Sequence, residues 1–420
     1  MKKIFQKILL RCSRKILHKY KPEIIAVSGS IGKTSAKEAI YSVLRAKYPK
    51  AGTIRKNDKN YNNEFGLSFT IIGVNAPKRN PFKWIFVFLK AFIISRFFSH
   101  YPKVLILELG VDKPGDMDVL TDVVKPHIAV LTTIGISHLQ NFKNETEIFE
   151  EKRKIFKNLG PNDYAIINQD DTRLRSAGSL LKAKVLSYGF DSSADVWIDG
   201  YTAIYEKGSV FGSVFTLNYR GEKEEVFLSS IIGAQHVSAV AAAAAVGIAS
   251  GMDLSEISAA LSYYKAEPGR MKILAGEYGS VILDDTYNAA PLSTHAALKE
   301  LFRFPAAHRI AVLGDMLELG AESEAAHIAV GNELAKLELD SVIFVGPQMR
   351  LAYEQLRKIG FQSESIQWFK SSVLAIPAVR RLLAGNTAVL IKGSRGMQME
   401  RIVRAVMRDK EQADGLLVQH

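Results

Sequence analysis

Short apolar runs recur along the first two thirds of the chain, and stretches of helical spacing alternate with them. "IIAVS" (24–28), "VLILELG" (104–110), "IAVLTTI" (128–134) and "YAIINQDD" (164–171) carry the pattern of buried strands. After the first run, "KTSAKEAIYSVLRAKY" places Ala36, Ile40, Val43 and Leu44 on one helical face. This alternation predicts an α/β domain with a mostly parallel sheet. Residues 185–232 change character: "VFGSVFTLNY" and "EEVFLSSI" read as an antiparallel patch within or beside that sheet. Two helices rich in small residues follow, "HVSAVAAAAAVGIASGM" and "LSEISAALSYY". Pro268 and Gly269 in "KAEPGRMKI" mark a boundary. Beyond them "GSVILDDTYN", "RIAVLGDM", "SVIFVG" and "AVLIKGS" predict a second, doubly wound Rossmann-like α/β domain. There is no internal repeat.

Two apolar stretches do not fit this alternation. In residues 1–21, Ile4, Ile8, Cys12 and Ile16 recur every four positions, with Phe5, Leu9 and Leu17 beside them. The same segment holds eight basic residues and no acid, out of a net charge of +12 for the whole chain. It reads as a basic amphipathic helix. Such a helix attaches to an anionic membrane surface or packs on its own domain with its charges solvated. Residues 81–103, "PFKWIFVFLKAFIISRFFSHYPK", are interrupted by Lys90 and Arg96. A spanning helix needs about 20 apolar residues, so this stretch is expected as a surface-lying helix or a hairpin over the core.

Composition narrows the class further. At 420 residues, with 47% hydrophobic and 23% charged positions, the chain is globular and long enough for two domains. The expected division is an arm at 1–23, a nucleotide-binding domain at 24–266 with 81–103 as an apolar insertion, and a C-terminal domain at 267–420. Cys12 is the only cysteine, which excludes a disulfide framework and a cysteine zinc site and fits a cytoplasmic setting. No secretory signal pattern is present. No aromatic-interleaved basic patch points to nucleic acid.

The chemistry starts at "AVSGSIGKTSAKEAI" (26–40). Strand, glycine loop and helix is the context of a phosphate cradle. Gly29, Ser30, Ile31, Gly32, Lys33, Thr34 and Ser35 would turn backbone N–H groups toward phosphate oxygens at a helix N-terminus. Lys33 would reach the terminal phosphates, and the Thr34 hydroxyl would face Mg²⁺. The loop alone is short and unspecific.

Further motifs occur in a fixed order: "NYNNEFG", "LELGVDKPGDM", "TTIGISHLQNF", "EEKRKIF", "NQDD", "DDTYNAAP", "LGDMLELG" and "KGSRGMQME". Together with the glycine loop they resemble the Mur ligase family over about residues 24 to 405. The last three resemble most its branch that adds D-Ala-D-Ala to a muramoyl-tripeptide. The resemblance implies an ATP- and Mg²⁺-dependent peptide synthase of cell-wall precursor synthesis, working through an acyl phosphate. Its partners would be a muropeptide precursor and D-Ala-D-Ala or a similar amine.

The resemblance also assigns roles. Glu108, His138 and Lys152 would serve the metal ions beside Thr34, and Lys152 matches a lysine that is carbamylated. Read without the resemblance, Lys152 is one more exposed charge on a helix capped by Asn144. Arg270, Asp285, Tyr287 and Asn288 would face ATP from the C-terminal domain. Asn62, Asn63, Lys392 and Arg395 would contact substrate. For Asp315 and His327, substrate contact and helix capping stand equal.

Two departures stand out. Val237 and Val240 follow His236 where the family carries asparagines near adenine. The first strand begins after only 23 residues, where the family has a domain gripping the UDP group, so that anchor is expected to be absent. This leaves a UDP-linked or a lipid-linked acceptor open. A lipid-linked one would place the protein peripherally on the inner membrane face, through residues 1–21 and 82–98. The competing readings are a related ligase using another amino acid and a non-catalytic nucleotide-binding scaffold.

Overall fold

Strand β1 (Glu23–Ser28) shows why the chain folds as it does. Its residues alternate between two faces: Ile25 and Val27 enter one apolar cluster, Ile24 and Ala26 another. Both faces are therefore covered, and the run is apolar throughout, as predicted. The computed structural model describes residues 2–58, 61–77, 80–98, 100–135, 139–206, 209–361 and 363–419.

β1 lies inside a nine-stranded sheet, between β3 (Val104–Glu108) and β4 (Ile128–Leu131), with β2 (Ile54–Lys56) outside β3. β5 (Tyr164–Asn168), β6 (Lys184–Gly189), β7 (Val196–Glu206), β8 (Ser209–Tyr219) and β9 (Glu222–Ser229) continue the order beyond β4. Pairing is parallel up to β7 and antiparallel from β7 to β9. The antiparallel patch thus extends the sheet rather than forming a second one.

Helix α1 (Lys2–Tyr20) packs on α3 (Glu64–Ile72) and α4 (Pro81–Arg96) on one face of the sheet. α2 (Lys33–Lys47) and the helix Ala234–Ala249 cover the other. The first helix differs from its expected stripe. A four-residue repeat advances about 40° per step on a helix, so Ile4 to Ile16 wraps about 120° around it. Leu9, Leu10, Ile16 and Leu17 are buried, whereas Ile4 and Ile8 are exposed. The segment is a part of the core with an apolar remainder facing outward. Residues 81–96 form a helix, not a hairpin. No helix among the described residues is long and apolar enough to cross a membrane.

The C-terminal domain is a six-stranded sheet in the order β10 (Lys272–Ala275), β11 (Val281–Asp285), β15 (Thr387–Lys392), β12 (His308–Gly314), β13 (Ser341–Val345), β14 (Ile366–Phe369). Only β10 runs antiparallel. β10 and β14 add to the four strands legible in the sequence. The two domains touch: Lys272, the first residue of β10, bridges to Ile231, and Leu292 packs so close to Gly135 that a Cβ there would lie 2.4 Å from its methyl.

Candidate active site

The ends of β1, β3, β4 and β5 open on one side of the large sheet, where the strand order reverses about β1. Ligands of open α/β sheets collect at such a point. Gly29 leaves β1 with φ 146°, and a Cβ there would sit 1.9 Å from Thr132 Oγ1 at the end of β4. Only glycine lets the loop pass so near. Lys33 Nζ donates to Gly29 O at 2.8 Å and to Ser30 O at 3.3 Å, folding back over the loop. Burial pulls its pKa down, opposed by the charge of Glu108.

Glu108 ends β3 and is buried. Its Oε2 accepts from Thr34 Oγ1 at 3.0 Å, its Oε1 from Asn62 Nδ2 at 3.2 Å, and Lys37 Nζ lies 3.9 Å from Oε2. Asn57, which the sequence did not single out, fixes its main chain. Glu108 N donates to Asn57 Oδ1 at 2.8 Å, and Asn57 Nδ2 donates to Glu108 O at 3.2 Å. A side chain here mimics the next rung of a sheet. Gly110 is needed beside it, since a Cβ would come within 2.7 Å of the Asn62 amide carbon.

Lys152 departs from its reading as an exposed charge. It is 2% exposed on the helix Glu145–Arg153, whose N-cap Asn144 accepts from Glu147 N. Its Nζ donates to Gly29 O at 3.0 Å and Ser30 Oγ at 2.9 Å. Burial drives its pKa well below that of a free lysine, the Lys33 charge adds to this, and Asp112 partly opposes it. Two lysines thus converge on one glycine loop. His138 lies outside the described residues.

The C-terminal domain closes the cleft. Arg270 Nη2 donates to Thr34 Oγ1 at 3.2 Å across the domain boundary, and its guanidinium lies 3.9 Å from the Tyr287 ring centroid. Arg395 approaches the same ring at 6.0 Å. Among the described residues, Arg270 Nε and Arg395 Nη1 are buried donors without a partner, so each has a hydrogen bond to offer an anionic group. His236 Nε2 donates to Arg270 O at 2.6 Å and its Nδ1 pairs with Tyr264 Oη at 2.9 Å, so the ring holds the Arg270 main chain.

Several assigned residues also have partners within their own domain. Asp285 and Lys392 are joined to each other at 2.6 Å, and Lys392 also donates to Asn288 O at 2.9 Å. Both side chains are spent inside the domain. Asn63 caps α3, accepting from Gly66 N at 3.0 Å. Asp315 Oδ1 accepts from Met349 N at 2.7 Å, and His327 accepts from Met316 N at 3.1 Å while its other nitrogen meets Ser323 O. Asp315 thus caps the helix that starts at Met349, whereas His327, inside the helix Ser323–Leu334, ties that helix to the loop at Met316.

The donor set suits Mg²⁺. Thr34 Oγ1 and the Glu108 carboxylate are hard oxygen donors side by side. Among the described residues, no three His, Cys, Asp or Glu side chains form a cage of their own. A Mg²⁺ ion held by these two donors would keep water and take the rest of its shell from substrate phosphates.

Residues 92–247 match the Mur ligase middle domain, and residues 269–395 match the Mur ligase glutamate ligase domain. The chain belongs to the Mur ligase family. Over 388 residues it is 28% identical to the UDP-N-acetylmuramoyl-tripeptide–D-alanyl-D-alanine ligase of Escherichia coli, covering 92% of this chain and 77% of that protein. The ligase of the same name from Bacillus subtilis is 27% identical over 397 residues, covering 94% and 78%. The solved MurF ligase of Thermotoga maritima in complex with ADP superposes with a TM-score of 0.78 at 25% identity, covering 98% of this chain and 84% of that one. A MurF structure from Acinetobacter baumannii gives 0.77 at 25%, covering 94% and 79%. The Mur ligase fold is thus complete here from the glycine loop to the C-terminal sheet.

Proposed function

We infer that this Mur ligase is an ATP- and Mg²⁺-dependent peptide synthase of peptidoglycan precursor synthesis, joining D-Ala-D-Ala to the terminal carboxylate of a muramoyl-tripeptide. The observation that carries the reading is the convergence of Lys33, Thr34, Glu108, Lys152 and Arg270, from both domains, on one glycine loop. A carboxylate does not react with an amine directly. Transfer of the terminal phosphoryl group of ATP to a carboxylate oxygen makes an acyl phosphate. The amine then forms the C–N bond, loses its proton, and phosphate leaves with that oxygen. Most of the catalysis is positioning and charge neutralisation.

Each residue has a part in this. The glycine loop N–H groups and Lys33 hold the phosphates. Thr34 and Glu108 would hold Mg²⁺, which would neutralise charge on the transferred group. Arg270 and Arg395 supply donors to an anion at the domain boundary. Lys152 is proposed to carry a carbamate: burial favours its neutral amine, whose lone pair attacks CO2, and the N–C bond forms with loss of a proton. The product is an anion beside the metal position instead of a repelling ammonium.

The protein is further proposed to work at an anionic membrane surface. The support is the basic, acid-free α1 and the exposed apolar row of α4. The same face favours a lipid-linked acceptor as the second reading. Phosphate release with ATP and Mg²⁺ tests both, with UDP-N-acetylmuramoyl-tripeptide and D-Ala-D-Ala added singly and together and the product weighed. Release only with both, with the pentapeptide mass, supports the first reading. No release with the soluble acceptor, but release with membranes, supports the second. A product containing another amino acid would overturn the choice of D-Ala-D-Ala.

A further inference from the structure

Away from the active cleft, a cavity of about 350 Å³ opens between α4 and the end of α3. Its walls are apolar, from Ile72, Phe86, Leu89, Ile93 and Phe98, yet two cations, Arg55 and Lys90, enter it. Both lean on the carbonyl end of α3. Arg55 Nη1 donates to Thr70 O at 3.2 Å and Ile71 O at 2.9 Å, and Lys90 Nζ donates to Gly73 O at 2.6 Å. Neither has a carboxylate partner among the described residues, and no acid lines the cavity. These contacts leave donor hydrogens on both groups. Burial lowers the pKa of Lys90, and the charge of Arg55 lowers it further. An anion between them would relieve that repulsion.

The cavity opens on a face with a consistent character. Phe82, Ile85, Phe86, Leu89 and Phe92 follow helical spacing along α4, and all are exposed. Phe97 and Phe98 continue the row. Neither α1 nor α4 contains an acid, whereas Lys83, Lys90 and Arg96 interrupt the α4 row and basic residues fill α1. Aromatic side chains interleaved with cations match the interface of an anionic bilayer in both polarity and sign.

We propose that this cavity is a binding site for one anionic membrane lipid, with Arg55 and Lys90 on its headgroup phosphate and Phe86, Leu89 and Ile93 along the first part of its acyl chain. The proposal rests on the membrane reading above and adds a discrete, saturable site to it. A purely helix-capping role for the two cations would need no cavity and no apolar walls.

The test titrates the full chain with dihexanoyl phosphatidylglycerol below its micelle concentration, by calorimetry. Flotation is run in parallel with phosphatidylcholine vesicles that contain or lack phosphatidylglycerol. Lys90→Met removes one phosphate ligand and keeps the stem, while Ile93→Trp fills the cavity and leaves both cations. An unchanged circular dichroism spectrum and unchanged ATP binding confirm that each variant folds. The expected result is saturable binding to the wild type that weakens about tenfold in Lys90→Met, as loss of one charge-assisted hydrogen bond implies, and that is lost in Ile93→Trp, whose ring takes the acyl-chain space.

Flotation on the anionic vesicles without short-chain lipid binding, or with equal binding by all three proteins, overturns the site and leaves the membrane reading standing. Absence of flotation on either vesicle overturns both. Displacement of the lipid by equimolar inorganic phosphate would assign the cavity to free phosphate. Light scattering that shows a dimer covering the α4 row would assign the face to a second copy.

Discussion

The Thr34 hydroxyl donates to Glu108 Oε2 at 3.0 Å and joins the first turn of α2 to the end of β3. The pair brings together two oxygen donors, proposed to hold Mg²⁺, that lie 74 residues apart. Replacing Glu108 by Gln keeps the shape and removes the charge. Ligase activity is expected to fall about a hundredfold or more, and the Mg²⁺ concentration for half activity to rise. An unchanged Mg²⁺ dependence would count against Glu108 as a ligand.

Lys152 sets a pH dependence. Its folded pKa lies well below 10.5, so the neutral amine persists to a lower pH than in free lysine. As pH falls through that lowered value the amine is protonated, the carbamate can no longer form, and activity drops on the acid side. Because the unfolded chain binds the proton more readily, this group also costs stability as pH falls. Carbon-13 NMR in labelled bicarbonate should show a carbamate signal near neutral pH that is absent in Lys152→Ala.

Arg270 crosses the domain boundary to Thr34, and both its guanidinium and its carbonyl are held. Arg270→Ala should lower kcat/KM by about a hundredfold. Arg270→Lys should restore little, because a point charge cannot reproduce the planar stack on Tyr287. Steady-state kinetics with ATP varied would check both, and recovery by lysine would argue against the stacking role.

The Asp285–Lys392 pair predicts a stability effect without reference to ligand. Both side chains are nearly buried, so Lys392→Met strands a carboxylate and should cost about 3–5 kcal/mol. Asp285→Asn combined with Lys392→Met should recover much of that loss. Chemical denaturation of the single and double variants would measure the coupling, and strict additivity would deny it.

Leu9 and Ile16 are fully buried under the first helix. Leu9→Ala should therefore destabilise the domain by about 2–5 kcal/mol. A dispensable arm would show no change in the denaturation midpoint.

What the sequence disclosed follows a physical division. β1, β3, β4 and β5 are covered on both faces and read as unbroken apolar runs. The glycine loop announces itself because a phosphate cradle needs those residue types in that order. Strands β10 and β14 were missed, since "KILA" and "IQWF" are four residues long and only partly buried. The burial of Lys152, the clamp of Asn57 on Glu108 and the pairing of Asp285 with Lys392 depend on contacts 51 to 123 residues apart. Local pattern carries no trace of such meetings. The every-four repeat of α1 drifts around the helix, so Leu9, Leu10, Ile16 and Leu17 face the core while Ile4 and Ile8 do not, and of the two readings of this segment packing on its own domain accounts for the buried set.

Helix α3 is nine residues long, about 14 Å at the usual rise. Its first end is capped by Asn63, next to the amide that holds Glu108; its last carbonyls receive Arg55 and Lys90. The helix is thereby a ruler laid between the face proposed to meet a bilayer and the glycine-loop site. An acceptor anchored in lipid beside Arg55 would have to span that length, which sets a minimum tether for any membrane-held substrate and gives soluble and anchored substrates different steric demands.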